Sequence, residues 1–154
     1  MVISIIPLIQ HTLHPEATVP QSPSEQDWYA IYEEAKRQAL LGITFYGVQQ
    51  LRKSHPECSM PDNLKLQWLS QVIQIQKRNE SLDEHCRQLH KELSQSGIHS
   101  SILKGQAMAQ LYGDTLSSLR QPGDIDILVD CGRERAIECA HSLGDANPQW
   151  DYKH

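Results

Sequence analysis

The sequence predicts an α+β chain, with an N-terminal helical segment followed by strands and flanking helices. Three observations carry this. Apolar residues recur in steps of three and four from Tyr32 to Leu93, which is the period of a helix face. Two short runs after Gly97, at 98–103 and 124–129, are rich in Ile, Leu and Val and read as strands. Gly and Pro stand between these segments at the places where elements should end.

Taken in order, residues 1–24 hold four prolines, Pro7, Pro15, Pro20 and Pro23, and read as an extended N-terminal arm. A helical lead-in segment spans 25–97. Its first helix starts at Ser24 with Glu25 and Asp27 nearby, and follows Tyr32, Ala35, Ala39 and Ile43 to about Gly47 or Ser54, before His55-Pro56 closes it. A second helix opens after Pro61-Asp62. Its stripe of Trp68, Val72, Ile75, Leu82, Cys86, Leu89 and Leu93, with Asn79 at one seam position, packs either on the rest of the chain or on a second copy through the 61–96 helix.

Gly97 ends that helix, and residues 98–154 read as the partial core. A strand at 98–103 leads into a compact helix over 105–112. A polar connection over 113–121 then closes at Pro122-Gly123 and is followed by the strand 124–129. A last helix runs from Gly132 to Leu143, and the residues around Trp150 and Tyr152 read as the start of another strand.

Composition narrows the function classes. The 154 residues carry 19 Asp and Glu against 14 Lys and Arg, a net charge of −5, so a long nucleic acid is not an expected partner. With 39% hydrophobic and 21% charged residues the chain should fold. No apolar run reaches the length of a membrane span, and Pro7 stops the apolar opening, which has no basic start and no cleavage site, so a cytoplasmic location is expected. Cys58, Cys86, Cys131 and Cys139 form no CxxC pair and read as reduced thiols rather than disulfides or zinc ligands.

Chemistry concentrates in two places. Alternation along the second strand puts Asp124 and Asp126 on one face and Ile125, Ile127 and Val129 on the other. Two carboxylates so placed repel each other unless a cation lies between them. Magnesium suits them, because it takes oxygen ligands from one or two carboxylates and completes its shell with phosphates and water. The same pattern also serves simply as a charged strand edge. In the segment Leu103-Lys104-Gly105-Gln106 a strand turns directly into a helix. There Gly105 admits a ligand close to the backbone, the helix start favours an anion, and Lys104 adds a mobile positive charge. A surface lysine and a turn glycine are the plainer alternative. Arg120, four residues before Asp124, either grips a polyphosphate or pairs with Asp124 or Asp114. Asp130 reads as a cap for the last helix. The pairs His85/His90 and Cys86/His90 lack further ligands for zinc, and Ser100-Ser101 has no nucleophile-elbow context.

Leu103-Lys104-Gly105, Ala109, Tyr112, Arg120 and Gly123-Asp124-Ile125-Asp126-Ile127-Leu128-Val129 resemble the uncharacterised nucleotidyltransferase family of bacteria, within the DNA polymerase β-like nucleotidyltransferase superfamily. The resemblance implies a nucleotidyltransferase-like fold with a partial mixed β-sheet and flanking helices, a nucleoside triphosphate with Mg2+, and transfer of a nucleoside monophosphate to a hydroxyl-type acceptor, either a small molecule or a protein. It makes Asp124 and Asp126 the catalytic, metal-binding carboxylates, and Lys104, Gly105, Gln106, Arg120 and Gly123 the nucleotide contacts. Two departures stand out. Gln106 takes the place of the serine usual in the superfamily. The third carboxylate normally lies on a later strand, and the sequence stops at His154 where that strand would approach. A C-terminally shortened protein is therefore expected, either active with a ligand from elsewhere or serving as a catalytically impaired nucleotide- or protein-binding module.

Overall fold

A computed structural model describes residues 5–14 and 23–144. The expected strand at Trp150 and Tyr152 lies outside them. The first helix, α1 (Ile6–Leu13), occupies part of the segment expected to be an extended arm. Pro7 stands in its first turn, where a missing N–H costs nothing, and Ile5 and Leu8 are buried in the core. Eight residues that include a proline are enough for a helix when a neighbour covers one face. That neighbour is α3, and Gly47 is the point of closest approach. A Cβ on Gly47 would overlap the Thr12 hydroxyl and the Leu8 carbonyl.

The expected first helix is two helices, α2 (Glu25–Arg37) and α3 (Leu41–Ser54). Ser24 and Asp27 form a capping box at the start of α2, with the Ser24 N–H 2.8 Å from Asp27 Oδ2. The break follows from Ala39, whose φ is +58°. Ala39 N donates to Lys36 O and Leu40 N to Ala35 O, at 3.2 and 2.8 Å, the paired bonds of a Schellman stop. Glycine normally fills that left-handed position, so alanine gave no warning of it.

Helix α4 (Asp62–Gln95) is one 34-residue element, and its apolar stripe is covered by this chain itself. Its first half joins α1, α2 and α3 around Trp68, which is fully buried. The Trp68 indole donates to Leu41 O at 3.0 Å and packs edge-on to Tyr32 with ring centroids 5.4 Å apart, an arrangement contributing about 1 kcal/mol beyond area burial. Its second half supports the rest of the fold. At the end of α4, Gly97 (φ +69°) makes a second Schellman stop, with Ile98 N donating to Leu93 O at 2.9 Å and both side chains buried.

Strand β1 (His99–Leu103) pairs antiparallel with β2 (Asp126–Asp130), and these two strands make up the sheet among the described residues. Between them run α5 (Gly105–Ala109), a 3-10 turn (Gln110–Tyr112) and α6 (Gly113–Leu119). The connection expected at 113–121 is thus mostly helical. Asp114, Thr115 and Gln121 are exposed, while Leu119 is buried against α3, where a Cβ on Gly42 would overlap the Leu119 carbonyl. Helix α7 (Arg133–Leu143) follows with Gly132 as its N-cap. Asp130 therefore ends β2, opposite His99, instead of capping the helix. Among the described residues no helix is long and apolar enough to cross a membrane, and no disulfide is formed.

Candidate phosphate and metal corner

The site is built by the register of the two strands and the turn that leaves β1. Pairing sets Ile102 opposite Ile127 and Ser100 opposite Val129. This is the face turned toward α4, where the Ser100 hydroxyl lies 2.8 Å from His90 Nδ1. Alternation then puts Leu103, paired with Asp126, on the opposite, open face. The apolar row thus faces inward and Asp126 outward. Asp124 lies two residues before β2 begins, so strand alternation does not orient its side chain.

Lys104 makes the sharp turn into α5. Its φ of +48° and ψ of −133° are rarely adopted by a residue with a side chain, and such a conformation costs about 1–3 kcal/mol. The turn carries the lysine across to the neighbouring strand, where Nζ lies 3.2 Å from Asp126 Oδ2. Both groups are open to water, with side chains 79% and 39% exposed, so the pair itself contributes at most about 1 kcal/mol and exchanges readily. Gly105 opens α5, and no side chain caps that helix. A Cβ there would lie 3.4 Å from Arg120 Nη2 and 3.7 Å from the Asp124 carbonyl oxygen. The turn, the guanidinium and the approach to the aspartates therefore share one corner. Since α5 is only five residues long, its aligned peptide dipoles are few, and the two cations supply most of the attraction for an anion.

Arg120 forms no ion pair with Asp114 or Asp124 among the described residues. Its Nη1 donates instead to Gln106 Oε1 at 3.2 Å. Gln106, expected as a nucleotide contact, is 6% exposed, and its Nε2 donates to Asp83 Oδ1 at 2.6 Å. Both ends of its amide are thus engaged inside the protein, because the first turn of α5 presents this position to α4. Gly123 is exposed, and a Cβ on it would meet nothing within 4 Å. Packing does not demand glycine there, and the small residue leaves the way to Asp124 open.

Two aspartates two residues apart, one half-exposed and one exposed, fit the minimal protein share of a magnesium shell. No group of three or more His, Cys, Asp or Glu suited to a metal occurs among the described residues. The donor set therefore suits an ion that arrives with phosphate oxygens better than a bare one. Cys86 offers no alternative chemistry, since burial, with Asp83 nearby, holds its thiol above the ordinary range and so protonated at neutral pH.

The cavities lie elsewhere. An apolar one of about 360 Å³ is walled by Leu13, Leu40, Ile43, Leu116 and Leu119 and reaches Arg120 at its edge. A more polar cleft of about 810 Å³ runs between α4, β1, α5 and α6, past Asp83, His90 and Gln106. Neither is lined by Asp124 or Asp126. Sequence reasoning missed Asn79 and Asp83 as neighbours of this corner. The one available signal was a polar residue, Asn79, in an otherwise apolar helix stripe.

No curated protein and no solved structure matches the chain. A family model described as an uncharacterised nucleotidyltransferase does match, over residues 24–153, a span that takes in both the helical segment and the corner. By that match the chain belongs to the uncharacterised nucleotidyltransferase family.

Proposed function

We propose that this chain binds a nucleoside triphosphate with magnesium at the Lys104–Gly105 corner and transfers the nucleoside monophosphate to a hydroxyl-type acceptor, a small molecule or a protein. The carrying observation is the convergence of Lys104, Gly105 and Arg120 beside the Asp124–Asp126 segment. Magnesium, when bound, neutralises charge at the α-phosphate and on the leaving pyrophosphate. The chain's own residues do the rest. Asp124 and Asp126 offer carboxylate oxygens. Lys104, now on Asp126, is free to move to the phosphates when that carboxylate takes another partner. Gly105 lets phosphate oxygens approach the backbone, and Arg120 brings a second fixed positive charge. The acceptor oxygen bonds to the α-phosphorus, the bond to pyrophosphate breaks, and the acceptor proton passes to solvent or to a nearby carboxylate.

A second reading, a catalytically impaired nucleotide-binding module, is favoured by one observation: no third acidic ligand accompanies the aspartate pair among the described residues. Titration calorimetry with each ribonucleoside triphosphate and magnesium, on wild type and on Asp124→Asn/Asp126→Asn, tests the binding step. The reading expects heat from wild type and little from the double variant; equal heats would remove the carboxylates from the site. Release of pyrophosphate in the presence of candidate acceptors then separates enzyme from binding module.

A further inference from the structure

Two buried amides near the corner have no role in the proposed transfer. Asn79 is 3% exposed on the stripe of α4, where a leucine would pack without a polar group to satisfy. Its Nδ2 donates to Ser118 O at 2.9 Å and to Arg120 O at 2.8 Å, while its Oδ1 has no partner. The amide cannot turn over, because that would set its oxygen against two carbonyl oxygens. Gln106 holds the other end of the same arginine through Oε1. Its orientation is set by Asp83, a carboxylate that accepts but cannot donate. With Nε2 tied to Asp83, Oε1 must face the guanidinium. Main chain and head group of Arg120 are thus both fixed from α4, one directly and one through Gln106. Gln106 engages one guanidinium N–H, and the remaining donors are left for a ligand.

We infer that Asn79, Gln106 and Asp83 are positioning residues which hold the Arg120 guanidinium at the Lys104–Gly105 turn, aimed at the phosphates of the bound triphosphate; this rests on the reading of the corner given above. It also assigns a use to the glutamine that stands where the superfamily carries serine. Gln106 acts on the phosphates through Arg120, not by touching them.

Two measurements test this, on the full chain carrying Gln106→Ala, Asp83→Ala, Arg120→Ala or Gln106→Ala/Arg120→Ala. The first uses no nucleotide: the rate at which phenylglyoxal modifies Arg120, followed by mass spectrometry of the peptide. Freed from Gln106, the guanidinium should react at least about threefold faster in Gln106→Ala and in Asp83→Ala. The second is the dissociation constant of magnesium-ATP by calorimetry. Arg120→Ala should weaken it about 10- to 100-fold, Gln106→Ala about 3- to 10-fold, and the double variant no more than Arg120→Ala alone. Unchanged modification rates, or effects of Gln106→Ala and Arg120→Ala that simply add, overturn the inference. Asp83 lies on the exposed side of α4, so Asp83→Ala keeps the test open if Gln106→Ala fails to fold. An Arg120→Ala protein that binds as tightly as wild type overturns the reading of the corner instead, and the modification rates still decide whether Gln106 holds Arg120.

Discussion

Replacing Lys104 by glycine and by alanine separates the strain of the turn from the charge it carries. Both substitutions remove the ammonium that lies 3.2 Å from Asp126. With side chains 79% and 39% exposed, that loss should cost no more than about 1 kcal/mol. Alanine keeps a Cβ at φ +48° and ψ −133° and so retains the strain, about 1–3 kcal/mol. Glycine relieves it but gains freedom in the unfolded chain, which returns about 0.4–1 kcal/mol. Lys104→Gly should therefore be more stable than Lys104→Ala by about 1.3 kcal/mol at the middle of these ranges, or about 3–5 °C in melting temperature for a chain of this size. Urea unfolding followed by circular dichroism measures the difference. Magnesium-ATP affinity should fall about tenfold, and equally, in both, since each loses the same charge. An alanine variant as stable as the glycine variant would refute the claim that the turn stores strain. Retained affinity in both would remove Lys104 from the phosphate site.

Further outcomes follow from other positions. Ala39→Gly should raise stability by about 1 kcal/mol in the same unfolding assay, because Ala39 sits at φ +58° in the stop between α2 and α3. Gly42→Ala should cost about 1–3 kcal/mol, since a Cβ there overlaps the Leu119 carbonyl; the shift should reach Arg120 next along the chain and weaken magnesium-ATP as well. The Ser24 hydroxyl, followed by the Ser24 backbone N–H, holds the Asp27 carboxyl below its ordinary value of 3.8. A lowered folded value means that this contribution is fully present at neutral pH and fades as pH falls below 3.8. Asp27→Asn should thus lower the urea midpoint at neutral pH and flatten its fall under acid, and identical pH profiles for both proteins would rule the capping box out as the source.

The two chain reversals that end α2 and α4 show what was legible and what was not. Both are Schellman stops with the same hydrogen bonds. Gly97 announced one, because glycine takes positive φ without steric cost. Ala39 concealed the other, and its conformation is held by the packing of α3 against the rest of the core. Helix α1 was hidden among prolines for a related reason. Eight residues are too few to form a helix alone, so its existence depends on Gly47, about forty residues away in sequence, leaving room for its backbone.

The same division runs through the corner. The order of residues was enough for the two motifs, their succession, the inward row of Ile127 and Val129, and the long stripe of α4, because each depends on the period of a single element or on the backbone freedom of one residue. Tertiary structure alone decided that Lys104 reaches Asp126, that Gln106 turns inward to Asp83 and Arg120, and that Asn79 ties down Arg120 from α4. These contacts join segments from 14 to 41 positions apart along the chain. They depend on strand register and on the gap at Gly42 of α3 that admits the Leu119 backbone beside Arg120, and no local pattern of residue types encodes those.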